Sequence, residues 1–181
     1  MKKLLLIAAM CLAGLAVSAQ SLTVTPKAGL NFANVTKSEG DMKLGFVAGA
    51  EADYQVTENF AIGAGLLFSM QGAKEKGEGD ALNLNYINIP ILAGYEVYQG
   101  LKVKAGIQPS FLMSAKVGSE DVKEYYKSLD LAIPVGLSYE ISSIVVDARY
   151  NIGLTKVYKD YEGDGGKNTV FRLTVGYKFA L

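Results

Sequence analysis

The C-terminal stretch Phe171-Arg172-Leu173-Thr174-Val175-Gly176-Tyr177-Lys178-Phe179-Ala180-Leu181 alternates without interruption. Phe171, Leu173, Val175, Tyr177, Phe179 and Leu181 fall on one side of an extended chain. Arg172, Thr174, Gly176, Lys178 and Ala180 fall on the other, because successive side chains of a strand point to opposite faces. A helix would scatter both classes around its axis. The segment reads as a strand with one apolar and one polar face.

The same period recurs upstream. Leu44, Phe46, Ala48, Ala50, Ala52 and Tyr54 oppose Lys43, Gly45, Gly49, Glu51 and Asp53; Phe60, Ile62, Ala64, Leu66, Phe68 and Met70 oppose Gly63, Gly65, Ser69 and Gln71. Leu101, Val103, Ala105 and Ile107 oppose Lys102, Lys104, Gly106 and Gln108. Two further segments, starting at Leu129 and Ile144, set Asp130, Glu140, Asp147 and Arg149 against aliphatic faces. With 22–34 and 82–97 added, about eight strands result, each long enough to cross a bilayer at a tilt. An even number closes an up-and-down barrel, so the expected fold is all-β: an eight-stranded antiparallel transmembrane β-barrel following a cleaved signal peptide.

Connections support that reading. Short turns fall at Thr57-Glu58-Asn59, Gln99-Gly100 and Ser142-Ser143, and longer polar loops at 36–41, 74–81, 117–127 and 158–167. Short turns at one rim and long loops at the other are the habit of outer-membrane barrels, the short ones periplasmic. Each strand descending to the short-turn rim ends near a tyrosine: Tyr54, Tyr95, Tyr139 and Tyr177. Amphipathic rings at headgroup level form an aromatic girdle. Tyrosine's general preference for strands does not explain their recurrence at the same end.

The polar face carries Lys27, Lys102, Lys104, Arg149, Arg172 and Lys178 against Glu51, Asp53, Glu96, Asp130, Glu140 and Asp147. A narrow lumen requires enclosed charges to pair, and glycines crowd the same face, so these twelve are expected to form a lumen charge network. In a soluble, lipocalin-like ligand-binding barrel the apolar face would instead line a cavity. Pro90, Pro109 and Pro134 fall inside strands, and a bulge or bend is expected at each.

Lys2 and Lys3 precede an apolar run over residues 4–17, with Val17 and Ala19 as the small residues read by a signal peptidase. The expected organisation is a signal peptide at 1–19, cleaved near Ala19, and a barrel domain at 20–181. The single cysteine, Cys11, lies in the leader, so the exported chain would carry no thiol; the sequence has no histidine. Ser-His and Cys-His catalysis and the commonest metal ligand are thereby excluded. Eighteen basic residues against eighteen acidic ones leave no electrostatic footprint for nucleic acid.

The loop Asp160-Tyr161-Glu162-Gly163-Asp164-Gly165 echoes the start of a calcium loop. Phe171 stands where the bidentate glutamate belongs, and a solvated acidic loop is the better reading. Lys123-Glu124-Tyr125-Tyr126-Lys127 offers either a tyrosine-rich contact or an upper interfacial belt. No residue set is expected to be catalytic, to hold a metal or to bind a cofactor.

On Tyr86-Ile87-Asn88-Ile89-Pro90-Ile91-Leu92, the glycine-spaced strands and the C-terminus, the chain resembles the PorT-like small outer-membrane barrels, a group described as porin-family or outer-membrane β-barrel domain proteins. The resemblance covers nearly the whole chain after the leader. It implies residence in the cell outer membrane, contact with its lipid, and insertion by barrel-assembly machinery. Thr174, Gly176, Phe179 and Leu181 are similar to the C-terminal assembly signal, with Leu181 standing where an aromatic residue is usual. The expected function is a non-enzymatic structural or interaction component of the envelope, meeting an extracellular or envelope protein through its long loops. A narrow channel for small solutes and a soluble periplasmic barrel are the alternatives.

Overall fold

The computed structural model describes residues 22–36, 41–74, 81–159 and 166–181. The leader with Cys11 and the Ala19 cleavage site, and the acidic loop 160–165, lie outside the described residues. The strands are β1 (Leu22–Val35), β2 (Asp41–Gln55), β3 (Phe60–Lys74), β4 (Leu82–Asn88), β5 (Ile91–Tyr98), β6 (Leu101–Val117), β7 (Glu120–Asp121), β8 (Leu129–Ile141), β9 (Ile144–Gly153), β10 (Asn168–Tyr177) and β11 (Phe179–Ala180).

Among the described residues they build eight antiparallel staves. β4 and β5 are halves of one stave, both lying between β3 and β6. β10 and β11 are halves of another. β1 pairs with β2 on one side and closes on β10 and β11 on the other, from Val35↔Asn168 down to Thr23↔Ala180. Closure leaves no row of unpaired backbone groups, the condition for crossing hydrocarbon as a sheet. The break between β10 and β11 falls where Pro26, which has no N–H to donate, comes opposite Tyr177 in the continuing register.

The prolines behave differently from the sequence expectation. Only Ile89-Pro90 interrupts a stave; Pro109 and Pro134 remain inside β6 and β8, and Pro134 stays in register with Asn151. The register shifts lie elsewhere, between Met42 and Val47, Asn85 and Tyr86, and Glu96 and Tyr98. A proline missing one donor costs a ladder bond without adding a residue, whereas a bulge needs an extra one. Gly72, at φ +123°, sits beside the first shift, a backbone conformation that a side chain resists.

Burial follows the alternation with inverted polarity. Arg149, Arg172, Gln108, Asn31, Asn88, Thr174 and Asp147 rank among the largest fully buried side chains. Leu30, Phe46, Leu66, Phe68, Ile107, Phe111, Leu137 and Leu173 are exposed. Water would not tolerate so continuous an apolar belt on a monomer. The lipocalin-like alternative is corrected here, since it requires the apolar face inside.

Candidate functional site

The barrel interior is layered. At the short-turn mouth, Lys102, Lys104 and Lys178 face Asp53, Glu96 and Glu140. Lys178 Nζ donates to both Glu140 carboxylate oxygens at 2.7 and 2.8 Å, and Lys104 reaches Asp53 at 3.4 Å. Lys104 is buried, and the others are partly exposed.

Above them lies a closed quartet. Glu51 accepts from Lys27 at 2.8 Å and from Arg149 at 2.8 and 3.3 Å; Arg149 also donates to Asp147 at 2.6 Å. Lys27 stands 3.8 Å from Asp147. Two cations and two anions cancel, so the desolvation cost of each is offset by its neighbours. Three strands bring them together: β1, β2 and, beyond β10 across the closing seam, β9.

One layer further up, Arg172 is held by neutral acceptors: Asn31 Oδ1 at 3.0 Å, Gln108 Oε1 at 3.2 Å and Ser69 Oγ at 3.3 Å. Ser69 Oγ also accepts from Asn31 and Gln71. Asp130 accepts from the Thr155 hydroxyl and from Asn168 Nδ2, which also donates to the Tyr86 hydroxyl. The twelve charges expected from the sequence thus face one interior, but they divide into a mouth ring, the quartet, and two isolated charges solvated by amides and hydroxyls.

The amide layer was not anticipated, nor was the apolar cap above it. Val35, Leu84, Tyr86, Leu112, Ala115, Tyr126 and Val157 form a buried cluster at the long-loop end. The Tyr126 and Tyr158 rings lie 5.1 Å apart, Lys127 N–H donates to Val157 O and Lys159 N–H to Tyr125 O. The two longest loops are therefore stitched together over the lumen. Burial, then the neighbouring Tyr158, pushes the Tyr126 hydroxyl pKa up. Neither a contact surface nor a belt describes Tyr126, which turns inward to cover the cap, while Tyr125 is exposed. Parity was the available cue: Leu84 and Tyr86 share the inward phase of Asn88.

Of the four rim tyrosines, Tyr95, Tyr139 and Tyr177 are exposed and Tyr54 half-buried. Tyr177 packs against Phe179, centroids 4.7 Å apart. Thr174 is buried, while Phe179 and Leu181 are exposed at the short-turn rim.

A closed eight-stave barrel, apolar outside and charged within, is the geometry of a membrane barrel. The family described as outer membrane protein beta-barrel domain matches residues 18–159. The chain belongs to this family. Among solved structures, Neisserial surface protein A is similar at TM-score 0.60 and 16% identity, over 90% of this chain and 98% of that one. Ail, the attachment invasion locus protein of Yersinia pestis, is similar at TM-score 0.56 and 14% identity, over 88% and 99%. At such identities these likenesses show the fold alone. No curated protein matches the chain in sequence. As a member of the outer membrane β-barrel family the protein resides in the outer membrane, its apolar belt in contact with lipid.

Proposed function

We propose that the protein is a non-catalytic interaction component of the bacterial envelope, held in the outer membrane by its barrel and meeting partners through its long loops. The observation that carries this reading is the filling of the lumen. Charges, amides and an apolar cap occupy it from mouth to loops, and the cavity in its lower part amounts to about 30 Å³. One water needs roughly 10–15 Å³ by the same measure, so the space holds a few waters and offers no solute path.

The stitched loops support the second half of the reading, because an ordered cap presents the exposed Tyr125, Lys127 and Lys159 on a rigid base. The Ail structure was also obtained in complex with the heparin analogue sucrose octasulfate; that the loops of this chain meet a ligand belongs to the proposal. So do the roles of Tyr54, Tyr95, Tyr139 and Tyr177 as a periplasmic-side girdle and of the C-terminal residues in recognition by the barrel-assembly machinery. Export through a leader cleaved near Ala19 completes it.

The test combines topology, conductance and capture. A Tyr125→Cys variant on intact cells should react with a membrane-impermeant maleimide, whereas Gln99→Cys should react only after the outer membrane is opened. A photo-crosslinking residue at position 127 should yield a discrete adduct. Stepwise conductance in planar bilayers, with no adduct from any loop position, would favour the channel alternative.

A further inference from the structure

The mouth ring holds three lysines against three carboxylates, yet among the described residues two of its ammonium heads are only weakly bonded. Lys27 turns upward to Glu51 at 2.8 Å, and Lys178 is chelated by Glu140 at 2.7 and 2.8 Å. Lys102 Nζ stays 3.8 Å from Glu96 and 3.9 Å from Glu140, beyond hydrogen-bond reach. Among the described residues Lys104 has a single long contact, 3.4 Å to Asp53, although its side chain is only 7% exposed. An ammonium has three donors and no acceptor, so two neighbouring lysines retain unused donors in a partly enclosed space.

Both face the same cavity. Its wall contains Lys102, Lys104 and Lys178 against Asp53 and Glu140, with Thr25 and Ser138 between them; Lys27 also lines it, but its charge is matched by Glu51 in the quartet. Glu96 adds a third carboxylate beside Lys102. Lys102 and Lys104 sit two residues apart on β6, pointing to the same face and separated by about 6.6 Å along the strand. That spacing suits an acceptor group whose oxygens bond both ammonium heads at once. The cavity volume of about 30 Å³ admits a small tetrahedral ion and excludes a sugar or nucleotide. It opens at the short-turn rim, the periplasmic side of an outer-membrane barrel.

We propose that Lys102 and Lys104, with Thr25 and Ser138, form a site for a small phosphate-type oxyanion at the periplasmic mouth of the barrel. The occupant is either free phosphate or a phosphate group carried by a larger periplasmic molecule whose remainder projects from the open mouth. Lys acts here as a point charge, as in other phosphate sites. The site lies at the opposite end from the loops and is independent of the interaction role assigned to them.

The experiment is a ³¹P NMR titration of inorganic phosphate against the folded full-length barrel in lipid nanodiscs, at fixed chloride. Wild type should bind one phosphate saturably. Lys102→Gln with Lys104→Gln should weaken binding at least tenfold. Gly94→Leu provides a second route that keeps every charge: a Cβ at Gly94 meets Lys104 Cγ at 3.5 Å, an ordinary contact, so the longer side chain fills the cavity without displacing backbone. It should weaken binding equally, and it decides the matter if the double variant fails a heat-modifiability check. Displacement of bound phosphate by glycerol phosphate assigns an esterified source, and its failure a free ion. Absence of saturable binding to wild type, or binding unchanged in Gly94→Leu, overturns the site.

Discussion

Replacing Glu51 with glutamine removes one negative charge from the centre of the quartet and barely changes its shape. Glu51 holds Lys27 at 2.8 Å and Arg149 at 2.8 Å, and the side chains of all three are no more than 2% exposed. With charge centres about 4 Å apart and an effective dielectric of about 20, each attraction is worth roughly 4 kcal/mol before desolvation. Most of that gross energy offsets the cost of taking the ions out of water. The net loss on leaving two cations with Asp147 alone should be about 3–5 kcal/mol, the usual cost of breaking a buried pair. A built-in control exists at the mouth. Lys178–Glu140 has a comparable bond of 2.7 Å, but its side chains are 26% and 24% exposed, and Lys178→Met should cost at most about 1 kcal/mol. Urea titrations of the two variants in lipid vesicles, read by the mobility difference between folded and unfolded barrel, measure both. Adding Arg149→Gln to Glu51→Gln should recover part of the loss, since it removes the orphaned cation. Equal, small losses for Glu51→Gln and Lys178→Met would refute the dry-quartet reasoning and imply that water screens the lumen at that depth.

Three further outcomes follow from the same geometry. Leu173→Arg, on the outer face midway along β10, should cost about 2–4 kcal/mol in the same titration, whereas its neighbour Thr174→Ala should be nearly neutral, because the buried Thr174 hydroxyl has no hydrogen-bond partner among the described residues to lose; a reversed order would invert the barrel's faces. Tyr126→Ala should leave the barrel's heat-modifiability intact yet open the cap, seen as faster tryptic cleavage at Lys127 and Lys159, and unchanged cleavage would show that the loops do not depend on it. Gly100→Ala, at φ +77° in the Gln99-Gly100 turn, should cost about 1–2 kcal/mol from the left-handed backbone alone, and no measurable loss would mean that the turn relaxes.

The fold was legible because one face of every stave had to differ from the other, and a period of two leaves that difference on the page. Closure was legible too, from the even number of strands; in the structure Leu181 N–H donates to Leu22 O across the seam. The composition of the interior was only half legible. Charges announce themselves on a polar face, but Asn31, Ser69 and Gln108 look like any small polar residues until Arg172 is placed among them. Their role depends on which residues of β1, β3, β6 and β10 share a height in the lumen, and that is set by the shear of the closed sheet, which no single segment encodes. The cap failed for a different reason. Tyr126 and Val157 lie in loops, where no periodicity applies, and their burial exists only because two segments about thirty residues apart meet over the same opening.

That division bears on which parts of the molecule are free to change. The quartet ties β1 and β2 to β9 across the seam, so a substitution there must be compensated on another strand or leave a charge exposed to hydrocarbon-walled space. Among the described residues, the two longest loops meet on a short apolar base formed by Tyr126, Val157 and Tyr158, and loop positions away from such a base are the ones that tolerate change. The mouth differs from both. There Lys102 and Lys104 retain donors that a purely structural ring would have paired, which is why the unpaired end, rather than the loop end, is where a small anionic ligand should be sought.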